Sequence, residues 1–166
     1  MDLRAEILKE HSKTQCTKIA GWVNNSQARF DMLFNLFLHD EYRVKQRASW
    51  CVCHIVLKNP NLIVNKVELL MNNLEGNQNH SAVIRNTLRI LEKFTISKKH
   101  HGKLIDFCLN YISNDNETIA IRAYAINILK NLCELYPEIM NEVKLILETQ
   151  KIESSALNNK IRKLNF

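Results

Sequence analysis

The sequence contains very few of the residues that break helices. Among its 166 residues there are only three glycines and two prolines. A sheet protein with many tight turns needs more of both, because these residues supply the backbone angles that turns require. Their scarcity therefore leaves room for long helices. The length, with 46% apolar and 24% charged residues, fits one globular domain that can bury a real core.

Membrane and secretion signals are also missing from the sequence. No run of about 18 apolar residues is present, so we expect no membrane span. The chain begins MDLRAEILKE, which is charged and lacks the apolar core of a signal peptide. The five cysteines lie within apolar stretches and are expected to be reduced and buried, as in a cytoplasmic protein. They are Cys16, Cys51, Cys53, Cys108 and Cys133.

One short pattern, an aliphatic residue followed by a cation, returns along the chain. The four copies are Val44-Lys45, Ile84-Arg85, Ile121-Arg122 and Ile161-Arg162. They are spaced at intervals of about 40 residues, which is typical of arrays of helical hairpins.

Each of the first three copies begins an apolar stripe with helical spacing. The stripes are Val44–Ala48–Cys51/Val52–Ile55, Ile84–Leu88–Leu91 and Ile121–Ala125–Ile128–Leu132. A polar turn with Asp or Asn precedes each one, and these residue types cap the starts of helices. These turns are His39–Glu41, Gly76–Asn79 and Asn114–Asn116.

Before each copy of the pattern lies another amphipathic segment, so the predicted unit is helix A, a short turn and helix B. The A segments span 30–38, 62–74, 103–112 and 139–147. Pro60 and Pro137 suit the first turn of a new helix. The predicted helix pairs span 26–58, 60–96, 99–135 and 137–165, and residues 1–25 are predicted to form N-terminal capping helices.

The B segments resemble the second helix of HEAT repeats. That helix commonly begins with Asp, followed by Val-Arg and then by Ala and Leu at helical spacing. DEYRVKQRASWCVC and DNETIAIRAYAINIL are similar to it, and HSAVIRNTLRIL is a looser match. The resemblance covers about residues 26–165. It implies an all-α fold, a right-handed α-solenoid of stacked antiparallel helix pairs, as one domain over 1–166. Such arrays mostly serve as binding scaffolds.

The cations of the repeated pattern form a ladder of Lys45, Arg85, Arg122 and Arg162. Two roles are open for it. The cations can bond the turn aspartates Asp40 and Asp115, which would make them structural. They can also form a basic stripe that meets a partner.

The function predicted from this pattern is a non-catalytic scaffold that binds a protein with an acidic or mixed surface through its B helices, on the concave side. The predicted partner-binding residues are Lys45, Arg47, Arg85, Arg89, Arg122, Asn127 and Arg162. Lys and Arg outnumber Asp and Glu by 23 to 17, so a nucleic-acid-binding solenoid is the alternative. HEAT-like alkylpurine DNA glycosylases use aromatics, an acid and a basic face, and Trp22, Trp50, Asp31 and Asp40 supply those residue types.

Motifs for catalysis or metal binding are weak. In WCVCH, Cys51 and Cys53 are about 200° apart on a helix and cannot chelate one ion together. Cys51 and His54 share a face, but two ligands do not make a structural site. SKKHHGK, over 97–103, is predicted as a polar loop. Without a glycine-rich phosphate loop or a Ser-His-Asp arrangement, we predict no metal, no cofactor and no catalytic residues.

Overall fold

Helices dominate the computed structural model of the chain, which describes residues 1–75 and 80–149. These two ranges contain nine α-helices and no strands. In chain order the helices are α1 (Leu3–Lys9), α2 (Lys13–Val23), α3 (Gln27–His39), α4 (Tyr42–Val56), α5 (Val67–Asn72), α6 (Ser81–Leu91), α7 (His101–Ser113), α8 (Ile119–Cys133) and α9 (Met140–Thr149). The all-α prediction is therefore confirmed.

Short 3-10 helices lead into three of the α-helices. They span Pro60–Leu62 and Val64–Lys66 before α5, Lys98–His100 before α7, and Pro137–Ile139 before α9. Both prolines occupy first-turn positions, as predicted. A first-turn residue has no intrahelical partner for its amide, so the missing N–H of proline costs nothing there.

The prediction of one continuous A helix over 62–74 is wrong, because the α-helix in this segment is shorter. The structure has two 3-10 helices followed by α5, which is only six residues long. Ile63, Val64 and Asn65 are poor helix formers, because β-branched and Asn side chains lose freedom or compete with the backbone in a helix. The apolar spacing indicated a helix here, but local propensity divides it into shorter turns.

Contacts divide the chain into two compact units, Met1–Lys93 and Phe94–Phe166, here called unit 1 and unit 2. In unit 1, α4 packs against α1, α2, α3 and α6. In unit 2, α7 packs against α8 and α9. The predicted pairs 26–58 and 99–135 hold α3 with α4 and α7 with α8, and the helices of each pair pack extensively on one another. The second helix of the last predicted pair lies outside the described residues.

The predicted apolar stripes of α4 and α8 are confirmed. In α4 the stripe from Val44 to Ile55 is buried, and in α8 the stripe from Ile121 to Leu132 is buried. In α6 the predicted first position is wrong, since Ile84 is only half-buried. Val83 and Thr87 are buried in its place, together with Leu88 and Leu91. The buried face of α6 therefore includes Val83 and Thr87, each one residue before a position of the predicted stripe.

A buried polar contact joins α4 to α6. The Asn86 amide donates to the Ser49 hydroxyl at 2.9 Å, and that hydroxyl donates to the Gln46 carbonyl at 2.7 Å. A buried polar group is costly unless it is hydrogen-bonded, so this chain of bonds favours one register between the two helices.

Unit 2 contains a buried histidine that joins three segments. His101 begins α7 and lies within 2.8 Å of the Ile96 carbonyl through Nε2 and within 2.9 Å of the Tyr136 hydroxyl through Nδ1. With Nε2 protonated, the ring donates to the carbonyl and accepts from the tyrosine. His101 was predicted to be part of a polar loop, but it is buried helix instead.

Asp and Asn do not cap α4 and α8 as the polar turns predicted. The N-cap of α4 is Glu41, without a side-chain bond, and the N-cap of α8 is Thr118, whose hydroxyl accepts from the Ile121 amide at 3.4 Å. Asn114 instead accepts from the Asn116 amide within the turn. The second predicted turn, 76–79, lies outside the described residues.

Asp40 binds the first helix of the chain. Its carboxylate accepts from Arg4 Nε at 3.1 Å and from Arg4 Nη2 at 3.2 Å. Partial burial works to raise the pKa of Asp40, but hydrogen bonds from Arg4 and from the Glu41 amide outweigh it, and the pKa is lowered. The turn aspartate thus holds α1 against the start of α4.

We expect Ile121→Ala to destabilise the protein by about 2–5 kcal/mol, because it leaves a cavity at a fully buried position. The matched control is Ile119→Ala, in the same first turn of α8, where the side chain is 53% exposed. Urea unfolding followed by circular dichroism measures both. Equal losses of stability in the two variants would contradict the packing of α8.

We expect Asp40→Asn to lower stability at neutral pH by about 0.2–1 kcal/mol, the range for an exposed ion pair. The folded pKa of Asp40 is below its unfolded value, so its contribution is present above the unfolded pKa and is lost as pH falls through the folded pKa. The difference from wild type should therefore vanish in strong acid. The control is Asp106→Asn, at an exposed position of α7, and an equal loss of stability in the two variants at neutral pH, in the same urea titrations, would contradict a specific role of the Asp40 ion pair.

Candidate partner-binding surface

Four of the seven predicted binding residues lie in unit 1 and two in unit 2. Lys45 and Arg47 are on α4, and Arg85 and Arg89 are on α6. Arg122 and Asn127 are on α8. The seventh, Arg162, lies outside the described residues.

Arg85 and Arg89 form the most open part of the predicted set. Both side chains are exposed, and they are one turn apart on α6. Within residues 1–75 and 80–149, neither has an acidic partner within ion-pair distance. Two guanidinium groups on one helix face, without a compensating carboxylate, present positive charge to a binding partner.

The pKa values of two histidines are lowered in part by the positive charge of these arginines. Burial lowers the pKa of His11, and Arg47, Arg85 and His80 lower it further. Burial also lowers the pKa of His54, and the cations Lys58, Lys13 and Arg89 add to that effect. In the part of the chain that the structure describes, His54 Nε2 is buried and has no hydrogen-bond partner. These groups define the basic surface of unit 1: Lys13, Arg47, Lys58, Arg85 and Arg89, with His11, His54 and His80.

Aromatic rings lie among the cations of this surface. The ring of Trp50, which is half-buried, meets His11 edge-on with centroids 5.2 Å apart. Tyr42 is exposed and packs near His80 at 5.1 Å. Tryptophan and tyrosine supply apolar contact area at interfaces while keeping a polar group available. The surface therefore offers both charge and apolar contact.

A groove of about 330 Å³ adjoins the basic surface between α2 and α4. His54 and Lys58 line it, together with the amide side chains of Asn24, Asn25 and Asn59. Asn59 donates to Asn25 across this groove at 2.8 Å. Its lining combines these polar side chains with apolar ones such as Ile55, includes one permanent cation, and extends the surface beyond α4 and α6.

Arg47 has a structural role at the edge of the basic surface. Its Nη1 donates to the carbonyls of Ile7 at 3.2 Å and Leu8 at 2.6 Å. The last carbonyls of a helix have no intrahelical partner, so a cation that binds them satisfies them and complements the helix dipole. Arg47 thereby fastens the C-terminal end of α1 to α4.

Arg122 also fits the structural alternative. It is only 6% exposed, and its Nη1 lies 3.7 Å from the Asp115 carboxylate. That contact is the one that the ladder predicted between a repeat cation and a turn aspartate. The equivalent contact is not made in the first copy, because Asp40 binds Arg4 rather than Lys45. Lys45 and Asn127 are both half-buried.

The sequence prediction missed Lys13, His54 and Lys58. A usable signal was present, since Arg47, Trp50, His54 and Lys58 follow one another at steps of three or four residues. This spacing places them along one side of α4 and its end. His11 and Lys13 could not have been found this way, because His11 lies in the α1–α2 connection and Lys13 begins α2.

The described ranges contain neither a metal-binding cluster nor a membrane-spanning helix. Across 1–75 and 80–149, no group of three or more His, Cys, Asp or Glu side chains is arranged to hold a metal ion. No helix in those ranges has the length and apolar character needed to cross a membrane.

A family model described as a HEAT repeat domain matches residues 3–165. The chain belongs to the HEAT repeat family. The match extends past the resemblance seen at 26–165 and includes α1 and α2. No curated protein and no solved structure matches the chain. Membership makes this HEAT repeat protein a helical repeat scaffold.

We expect Arg47→Ala to destabilise this HEAT repeat protein by about 1.5–3 kcal/mol, the range for hydrogen bonds to a charged group. The control is Arg43→Ala, an exposed arginine one turn earlier on α4. Hydrogen exchange should show faster opening of α1 in Arg47→Ala only. Unchanged exchange in α1 would contradict the capping role of Arg47.

Proposed function

We propose that this HEAT repeat protein is a non-catalytic scaffold that binds a protein partner with an acidic surface through the basic surface of unit 1. The observation that carries the proposal is the exposed pair Arg85 and Arg89. Neither arginine is neutralised by a carboxylate in the described part of the chain.

The electrostatics of this surface support an acidic partner. Burial is the main cause of the lowered pKa values of His11 and His54, and Arg85 lowers that of His11 further and Arg89 that of His54, so the potential at these histidines is positive. A partner's carboxylates would be attracted by that potential, which raises association rates more than it raises affinity. Glu10 is the acid that lines the same part of unit 1, beside His11 and Arg47.

Trp50 supports a protein rather than a simple anion as the ligand. Its half-buried ring lies next to His11, among the cations. Interfaces draw much of their binding energy from a few aromatic and arginine residues placed together. A partner that presents carboxylates around an apolar side chain would match this arrangement.

The proposed binding residues differ in the contacts that they make within the chain. Arg85 and Arg89 are the core of the proposal, with Lys13, His54 and Lys58 beside them. Arg47 and Arg122 are held in contacts within the chain, so we expect them to stabilise the fold rather than to contact the partner directly. Lys45, Asn127 and Arg162 remain predicted binding residues, and a cytoplasmic location remains part of the proposal.

Nucleic acid is the second candidate partner, because the same cations can neutralise phosphates. The relation to alkylpurine DNA glycosylases gains no support from Asp31, Asp40 or Trp22. Asp31 is paired with Lys66 at 3.0 Å, Asp40 binds Arg4, and Trp22 lies under Arg29. Each of these residues has its own structural partner.

We expect Arg85→Glu or Arg89→Glu to weaken binding of an acidic partner roughly three- to tenfold each, through the lost attraction and the new repulsion. The control, Arg29→Glu, changes the net charge equally at an exposed position of α3. A labelled glutamate-rich peptide and a labelled DNA duplex are titrated at two salt concentrations. Proteins captured from source cells by each variant are compared by mass spectrometry.

Three outcomes decide between the candidates. Loss of the peptide and of the same captured proteins in both α6 variants, but not in Arg29→Glu, supports the proposed surface. Binding of the duplex that weakens steeply with salt, without peptide binding, favours nucleic acid. Retention of every partner by folded Arg85→Glu and Arg89→Glu excludes this surface as the site.

A further inference from the structure

Two thiols of unit 1 meet between α2 and α4. Cys16 lies in α2 and Cys51 in α4, and these helices pack against each other. The side chains are 3% and 4% exposed, respectively. Both side chains line the same cavity of about 10 Å³, and the interaction between the two thiols shifts the pKa of each. The two cysteines thus meet at this cavity although 34 residues separate them in the chain.

We propose that Cys16 and Cys51 form a reversible oxidation site, in which a peroxide converts the two thiols to a disulfide that joins α2 to α4. The site is independent of the proposed binding function. It requires only the packing of two helices within unit 1.

The two thiols differ in reactivity. A hydrogen bond from Cys51 lowers the pKa of Cys16; burial opposes this effect and Lys58 assists it. The pKa of Cys51 is raised, because it donates to Cys16 and is buried. Burial also raises the pKa of Cys53, to about 11, and that of Cys108. Because the thiolate is the nucleophile, Cys16 is the thiol that reacts first.

A peroxide can approach the pair through the small cavity. Its volume of about 10 Å³ corresponds to the space for about one water molecule. Glu10 and His11 line it and are exposed, and Arg47 and Trp50 line it and are half-buried. Hydrogen peroxide is one oxygen atom larger than water, so small movements of the exposed side chains admit it.

The reaction proceeds in two balanced steps. The Cys16 thiolate attacks one oxygen of hydrogen peroxide, the O–O bond breaks, and the departing oxygen takes a proton and leaves as water. Cys16 is now a sulfenic acid. The Cys51 sulfur then attacks the Cys16 sulfur, the S–O bond breaks, and the hydroxide takes the Cys51 proton and leaves as water. Two thiols are oxidised and one peroxide is reduced to two waters; a dithiol such as dithiothreitol reverses the result.

The test is peptide mapping of the folded full-length protein after exposure to hydrogen peroxide. Free thiols are blocked under denaturing conditions before digestion with trypsin. Cys16 falls in the tryptic peptide 14–18, and Cys51 falls in 48–58. We expect these two peptides to be joined in most molecules, with the loss of two hydrogens from the intact mass. Dithiothreitol should separate them again.

The peptide 48–58 also contains Cys53, so two alanine variants identify the partner of Cys16. Cys51→Ala should reduce the joined peptide to the level of untreated protein. Cys53→Ala should retain it, because Cys53 is two residues from Cys51 and lies on another side of α4. Circular dichroism checks that each variant is folded. If Cys51→Ala does not fold, the presence or loss of the joined peptide in Cys53→Ala decides whether Cys51 is the partner of Cys16.

The opposite results overturn the proposal. If the link persists in Cys51→Ala and is lost in Cys53→Ala, then Cys53, and not Cys51, is the partner of Cys16. Absence of any joined peptide in the wild type, or a link only between two chains, shows that the buried pair is not an oxidation site.

Discussion

The burial of α4 is the constraint on which unit 1 depends. Four helices, α1, α2, α3 and α6, pack against this one helix, and eight of its 15 residues are buried. Close packing on several sides requires small or compact side chains, and Ala48, Ser49, Cys51, Val52 and Cys53 supply them. The apolar stripe alone would position α4 against one neighbour. Ser49 and Cys53, which are buried outside the stripe, are small enough to allow the other helices to approach.

Burial against neighbouring helices also determines which cations are bonded within the chain and which remain exposed. A guanidinium close to a packed interface must find acceptors, because burial of an unpaired charge is expensive. Arg47 finds the last carbonyls of α1, and Arg122 finds Asp115. Arg85 and Arg89 project from α6 away from the buried arc and remain exposed. One repeated sequence position thus gives a structural cation in one copy and a surface cation in another.

Polar contacts hold the N-terminal helix in place. Arg4 binds Asp40 at the start of α4, while Arg47 binds the end of α1 further along the same helix. α1 has only seven residues, and isolated helices of that length are unstable in water. Its stability must therefore come from these tertiary bonds and from the burial of Leu3 and Ile7.

The helical class, the stripes of α4 and α8 and the HEAT-like repeat could be predicted from the sequence, because side-chain period and helix-breaking residues act locally. The sequence also predicted Arg47, Arg85 and Arg89 of the candidate surface, but not Lys13 or Lys58. Which cations are exposed depends on acceptors from distant segments and is therefore a property of the folded chain, as Arg4 shows for Asp40 and Ile7 for Arg47. The same holds for the half-buried Ile84, the bond between Asn86 and Ser49, and the meeting of Cys16 with Cys51. These features arise from packing between residues far apart in the chain, which no local pattern encodes.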